Sequence, residues 1–228
     1  MRTIFALSGF LGLPTDWNSF PQFTPITELN IPLTPQSILL GYSMGGRRVL
    51  QHLIQYPNHY HSAIIISAHP GLQTEKEREL RAEQDQKWAA KFLSDPWENL
   101  MHAWNAQAIF TDVPDRQEYH YSRKCLSDDL LKYSLAKQPN LRLQIADLSI
   151  PILWITGERD EKFTQLAESV HLQNPRSKKI IAPEAGHRVP WENMKFFTTS
   201  IEHFIGETYD NNTRTSDNMD NDQILSRY

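Results

Sequence analysis

Apolar residues recur along this chain in short unbroken runs. Thr3 to Leu7, Ser37 to Leu40, Ala63 to Ser67 and Pro151 to Thr156 are apolar or β-branched at almost every position, and Lys179 to Ala182 is a fifth run. A strand with one solvated face alternates. A continuous run reads as buried on both faces, which is the pattern of a parallel sheet covered by helices on either side. Parallel neighbours need crossover connections, and helical patterns supply them at Gly45 to Tyr56, Thr164 to Leu172 and Asn193 to Ile205. The expected class is therefore α/β, a mostly parallel sheet flanked by helices.

Between the third and fourth runs the texture changes. From His69 to Asp147 the chain is charged and punctuated by Pro96, Pro114 and Pro139. Glu75 to Leu93 carries Leu80, Gln84, Trp88 and Phe92 at i, i+4 spacing, a narrow stripe on an otherwise polar helix. Shorter helical segments are expected at Trp97 to Asn105, Asp115 to Tyr121 and Ser127 to Lys137. A helical block inserted here reads as a cap over the carboxyl ends of the strands, where ligands of open α/β sheets bind. The expected division is a core of 1–68 with 148–205, a cap of 69–147, and a polar tail of 206–228 that does not fold. In that tail five acidic side chains stand against two basic ones. They supply most of the formal charge of the whole chain, which is -4.

That charge, from 23 Lys plus Arg against 27 Asp plus Glu, leaves no global positive field for nucleic acid. Cys125 is the only cysteine, so no intrachain disulfide and no cysteine-based zinc cluster can form. The apolar stretch after Met1-Arg2 is broken by Ser8-Gly9, Gly12 and Pro14 and does not read as a signal peptide. No stretch is long enough for a membrane span. A soluble cytoplasmic protein is expected.

Candidate chemistry follows the strands. Gly41-Tyr42-Ser43-Met44-Gly45-Gly46 is a G-x-S-x-G sequence directly after one apolar run and directly before a helix, the context of a nucleophile elbow. A serine there needs a base and a group to orient it, in the chain order Ser, Asp, His. Asp160 follows the Pro151 to Thr156 run, and His187 lies 27 residues later in Ala185-Gly186-His187, again past a strand. Taken singly, Asp160 could be a helix N-cap and His187 an exposed loop residue. Together with Ser43, at successive strand ends, they read as a catalytic triad. An oxyanion hole needs the N–H after the nucleophile, from Met44, and a second from an earlier strand turn. Ser8-Gly9-Phe10 either supplies that second N–H through Phe10 or is a plain β-turn. His59 and His61 lack a third ligand nearby and read as surface or packing residues, as does His52. Cys125 reads as a small buried apolar group.

With these motifs, together with His69-Pro70-Gly71-Leu72-Gln73, Gln138-Pro139-Asn140-Leu141 and Gly157-Glu158-Arg159-Asp160-Glu161-Lys162-Phe163, the chain resembles the 2-succinyl-6-hydroxy-2,4-cyclohexadiene-1-carboxylate (SHCHC) synthases of menaquinone biosynthesis, within the α/β-hydrolase superfamily. The likeness spans roughly Ile4 to Phe204. It implies the α/β-hydrolase fold and a lyase without cofactor or metal. In such a lyase the serine acts as base and pyruvate is eliminated from 2-succinyl-5-enolpyruvyl-6-hydroxy-3-cyclohexene-1-carboxylate. It also implies a small anionic polycarboxylate substrate held by Tyr42, Arg47, Arg81 and Trp104, since a guanidinium binds a carboxylate with two parallel hydrogen bonds. A third cap arginine of the family has no clear counterpart: Cys125 falls near that position and Arg123 is the nearest substitute. Ser8 stands where the family has histidine. A hydrolase of esters or C–C bonds on the same triad, and a degenerate anion-binding protein, are the competing readings.

One departure concerns the fold. Only five residues separate Ile31 from Ser37, where a parallel crossover needs about a dozen or more. The sheet is expected to be trimmed there, leaving one face of the neighbouring strands exposed or covered by a partner chain, as in a homo-oligomer.

Overall fold

The computed structural model describes residues 2–32, 34–110 and 116–208. The expected tail from 209 onward, and the part of the expected 115–121 helix at Asp115, lie outside the described residues. Six strands form one sheet: β1 (Ile4–Leu7), β2 (Phe23–Ile26), β3 (Ile38–Tyr42), β4 (Ser62–Ile66), β5 (Ile152–Gly157) and β6 (Lys178–Ala182). The spatial order is β2-β1-β3-β4-β5-β6 and every pairing is parallel. Five strands coincide with the apolar runs to within two residues at either end. Their continuity has the expected cause. Successive side chains point to opposite faces, so Ile4, Ala6, Ile38, Leu40, Ile64 and Ile66 enter one core while Leu7, Leu39, Ala63 and Ile65 enter the other.

The first core is closed by Trp17, Phe20 and Phe23 from the segment after β1, and by Phe197, Ile201 and Phe204 from the last helix, which covers 194–208. The second is closed by Val49, Leu50 and Leu53 of α1 (Met44–Gln55), Ile145 of α5 (Arg142–Ala146) and Ala167 of α6 (Glu161–Glu168). The last helix follows the short α7 (Val189–Glu192) and is α8 here. It runs through Gly206 and Glu207 to a buried Thr208, past the composition change at 206.

β2 was not legible in the sequence, because Pro25 lies inside it. Proline removes a ladder donor and is confined to edge strands, and β2 is the edge, paired only to β1 with Pro25 opposite Ala6. Among its described residues the link from β2 to β3 contains no helix. Leu29 and Ile31 of this link, like Phe5 and Ile26, pack half-buried against the second core. The face that loses its crossover helix is thus partly covered by the chain's own extended segment.

Over the carboxyl ends of the strands lie α2 (Glu75–Ser94), α3 (Trp97–Asn105) and α4 (Arg123–Lys132). The Thr74 hydroxyl accepts from the Glu77 N–H at 3.2 Å while the Glu77 carboxylate accepts from the Thr74 N–H at 2.8 Å, a reciprocal cap that fixes where α2 starts. The N–H groups of Thr74 and Gln73 also hold the Glu77 carboxyl below its usual range. Phe92, Ala89, Leu100, Leu126 and Leu130 form a third core that closes over Leu11 from the β1 loop. Two expectations fail here. Leu80 is 58% exposed, and the buried face of α2 runs through Asp85, Ala89 and Phe92 instead. An i, i+4 row drifts around a helix, so only its last members reach the packed side. Cys125 is exposed on α4, whose inward face is taken by Leu126, Ser127 and Leu130. Among the described residues no helix is long and apolar enough to cross a membrane.

Candidate active site

Ser43 stands between β3 and α1 with φ 53° and ψ -114°, a left-handed conformation that serine adopts only when its surroundings enforce it. Its N–H donates to the Ile66 carbonyl at 2.8 Å and its carbonyl accepts from the Arg47 N–H at 3.1 Å, which pins the turn between β4 and α1. The elbow also needs Gly45. A Cβ there would lie 2.4 Å from the Leu7 and Ser8 carbonyl oxygens, so any side chain would push α1 off the end of β1.

Asp160 follows β5 and is the N-cap of α6, and one carboxylate oxygen accepts from the Phe163 N–H at 3.4 Å. It is therefore both a cap and a member of the constellation: its other oxygen lies 2.6 Å from His187 Nδ1. His187 Nε2 is 3.0 Å from Ser43 Oγ. Asp160 and His187 are buried, the imidazole to within 1%. Their loops meet at Gly157, where a Cβ would fall 2.0 Å from the Gly186 carbonyl oxygen. The imidazole packs against the Phe163 ring at 4.4 Å and the Tyr42 ring at 5.5 Å. Burial raises the Tyr42 phenol well above its ordinary range, so it stays neutral.

Ser43 and His187 open into a cavity of about 390 Å³. Phe10 and Met44 line it beside Ser43, and Gly9 approaches the serine so closely that a Cβ would sit 3.1 Å from its Cβ. One wall is aromatic, with Trp104 at 5.0 Å from Phe10 and 4.9 Å from Trp88 between ring centres. The other is cationic. Arg47 is buried, donating to the Gln138 side-chain oxygen at 3.2 Å and to the Tyr133 carbonyl at 2.7 Å. Burial, with the nearby Arg81 charge, pushes it down to about 10, still protonated at neutral pH. Arg81 also lines the cavity and donates from Nε to Asp85 at 2.8 Å.

Of the residues proposed from sequence, Ser43, His187, Tyr42, Arg47, Arg81, Trp104, Phe10 and Met44 all line this cavity, and Asp160 stands directly behind His187. Arg123 does not reach it. Its guanidinium is held by Glu118 at 2.5 Å and by the Phe92 and Asp95 carbonyls at 3.3 and 2.6 Å, and it lies over the Trp97 ring, tying α2 to α4. Spacing along the sequence does not reveal which way a side chain on a short helix is pulled. Sequence reasoning missed His69, Gln138, Asp85 and Lys162 as parts of the site. His69, Asp85 and Lys162 line the cavity, and Gln138 lies behind it, accepting from Arg47 and donating to the His69 carbonyl at 2.9 Å. The HPGLQ, Gln-Pro and GERDEKF motifs carried that signal for all but Asp85. His52 donates to or accepts from the Tyr60 hydroxyl at 2.7 Å, a packing role.

Residues 20–196, more than half of the chain, match the family model described as serine aminopeptidase, S33. The chain belongs to this family of α/β hydrolases. Within the family it is similar to the SHCHC synthase of Enterobacter sp. (strain 638), 33% identical over 162 residues that cover 68% of this chain. The match spans only 61% of that relative's length. The putative SHCHC synthase of Haemophilus influenzae is 28% identical, with 90% of this chain and 98% of the relative covered. Among solved structures, MenH from S. aureus superposes with a TM-score of 0.80 over 92% of this chain and 95% of that one, at 21% identity. The α/β-hydrolase fold thus has the same architecture in proteins that share about a fifth of their residues with this chain.

Proposed function

We propose that the chain is an SHCHC synthase, a cytoplasmic carbon–oxygen lyase that eliminates pyruvate from 2-succinyl-5-enolpyruvyl-6-hydroxy-3-cyclohexene-1-carboxylate. The observation that carries this reading is the sharing of one cavity by the Ser43–His187–Asp160 relay and two guanidinium groups, Arg47 and Arg81. An esterase needs the first. A lyase for a polycarboxylate needs both, because each carboxylate must exchange its water for fixed donors.

In this mechanism Asp160 holds the Nδ1–H of His187, leaving Nε2 free to take the Ser43 hydroxyl proton. The serine oxygen removes the proton from the ring carbon beside the succinyl ketone. Charge passes to the ketone oxygen, where the Met44 and Phe10 N–H groups receive it. The ring C–O bond then breaks, its electrons leave with the enolpyruvyl oxygen, and the proton stored on His187 returns to give pyruvate after tautomerisation. Serine ends as it began, with no acyl-enzyme. Tyr42 and Trp104 pack against the ring, and the segment 69–147 acts as the recognition cap of the 1–68 and 148–205 core.

Pyruvate release from the enolpyruvyl precursor tests this directly. The wild type is expected to turn over and Ser43→Ala is not, and a wild type that releases no pyruvate ends the lyase assignment. The aromatic wall favours a second reading, a serine hydrolase with an acyl group against Phe10, Trp88 and Trp104. Ester turnover that survives in both Arg47→Ala and Arg81→Ala, with phosphonate labelling of Ser43, would favour it.

A further inference from the structure

We infer that His69 is a substrate-binding residue of this cavity, donating a hydrogen bond from its Nε2–H to a carboxylate oxygen of the ligand. The inference rests on the reading of the site as a receptor for a polycarboxylate and deepens it. His69 is 8% exposed and lines the cavity, yet it has no part in the serine relay. The Gly71 backbone N–H lies 3.0 Å from its Nδ1. A backbone N–H can only donate, so Nδ1 must present its lone pair, and a neutral ring then carries its single proton on Nε2. The tautomer is set by the turn, with no need for a ligand. No described residue hydrogen-bonds to Nε2.

The ring is also kept from becoming a cation. Burial first, then the charges of Lys162, Arg47, Arg142 and Arg81, push it down to about 3. His69 is thus the neutral donor in a wall of positive groups. A further cation crowded beside Arg47 would raise the cost of the empty cavity, whereas a neutral N–H adds direction without adding charge. Its position is tied to that of Arg47, because Gln138 donates to the His69 carbonyl and accepts from the Arg47 guanidinium.

The test uses tricarballylate, a tricarboxylate with no enolpyruvyl group to expel, measured by calorimetry alongside pyruvate-release kinetics. His69→Asn keeps a side-chain oxygen near the Nδ1 position for the Gly71 N–H and removes the distal donor. His69→Gln restores an N–H near the Nε2 position. We expect His69→Asn to weaken tricarballylate binding about 10-fold and to raise KM about 10-fold with kcat changed less than about 3-fold, the pattern of lost uniform binding. His69→Gln should recover most of both, and nitrogen NMR of the wild type should show the Nε2–H tautomer at neutral pH. Wild-type affinity and KM in His69→Asn, equal losses in both variants, an Nδ1–H tautomer, or no wild-type binding of tricarballylate would each overturn the inference. The two readings fail separately. A wild type that binds tricarballylate through His69 but releases no pyruvate refutes the lyase alone, and pyruvate release with flat binding and KM in His69→Asn refutes the role of His69 alone.

Discussion

The strand ends and the helical segment above them position their functional groups by different physics. Ser43, Asp160 and His187 follow β3, β5 and β6, so their spacing is set by the parallel register of the sheet and by turns too tight for a side chain at Gly45 or Gly157. In the helical segment above, positions rest on single side chains that reach backbone oxygens: Arg47 of α1 to Tyr133, Arg78 to Gln138, Arg123 to Asp95 and Tyr121 to Leu11. The first arrangement is rigid because many ladder hydrogen bonds share the load. The second can be taken apart one bond at a time, so substitutions in the two regions should have different signatures.

The sharpest contrast comes from Ser43→Ala, which should lower kcat for pyruvate release by about 10³- to 10⁴-fold while leaving tricarballylate affinity intact. Arg47→Ala should act on kcat/KM, by about 10²-fold, because it removes a charge-assisted contact and takes the guanidinium donor from the Gln138 oxygen and the Tyr133 carbonyl. Arg47→Lys should recover little of this, since an ammonium cannot reproduce the planar fork. Steady-state kinetics on both variants would break the comparison if Arg47→Ala lowered only kcat. Arg123→Ala should leave kcat/KM within about 2-fold and lower stability to urea by about 1 to 2 kcal/mol, as the Phe92 and Asp95 carbonyls lose their donor. A large loss of activity at full stability would return Arg123 to the binding site.

The last effect concerns pH. His69, whose neighbours are Lys162, Arg47, Arg142, Arg81 and Glu77, has a folded pKa of about 3, below its ordinary value. Between those two values the unfolded chain binds the extra proton, so its contribution to stability is complete above the unfolded value and is lost as pH falls. At about 1.4 kcal/mol per unit, the wild type should lose roughly 2 kcal/mol more than His69→Asn between pH 7 and pH 5. Urea titrations at the two pH values read the difference directly.

How much of this was legible follows the same division. The five strands with both faces buried could be read directly, since burial on two sides writes itself into every residue. The elbow and the two later loops were legible because a strand end followed by Gly, Asp or His is a local pattern. β2 was hidden by Pro25, and the link from β2 to β3, with no helix among its described residues, left only its shortness as a clue. The cap was read as helices but not as faces. Leu80 and Cys125 turn outward, Arg123 is drawn to the carbonyls of α2, and Gln138 acts through partners that lie tens of residues away. Such long-range pairings leave no periodic mark.

The anchoring of Arg47 has a mechanical corollary. Its backbone belongs to α1, on the sheet, while both acceptors of its guanidinium, Gln138 and Tyr133, belong to the segment above. Lifting that segment strips a buried cation of its partners, so the same latch that shapes the chamber also resists its opening, and an arriving anion is met by a charge already aimed.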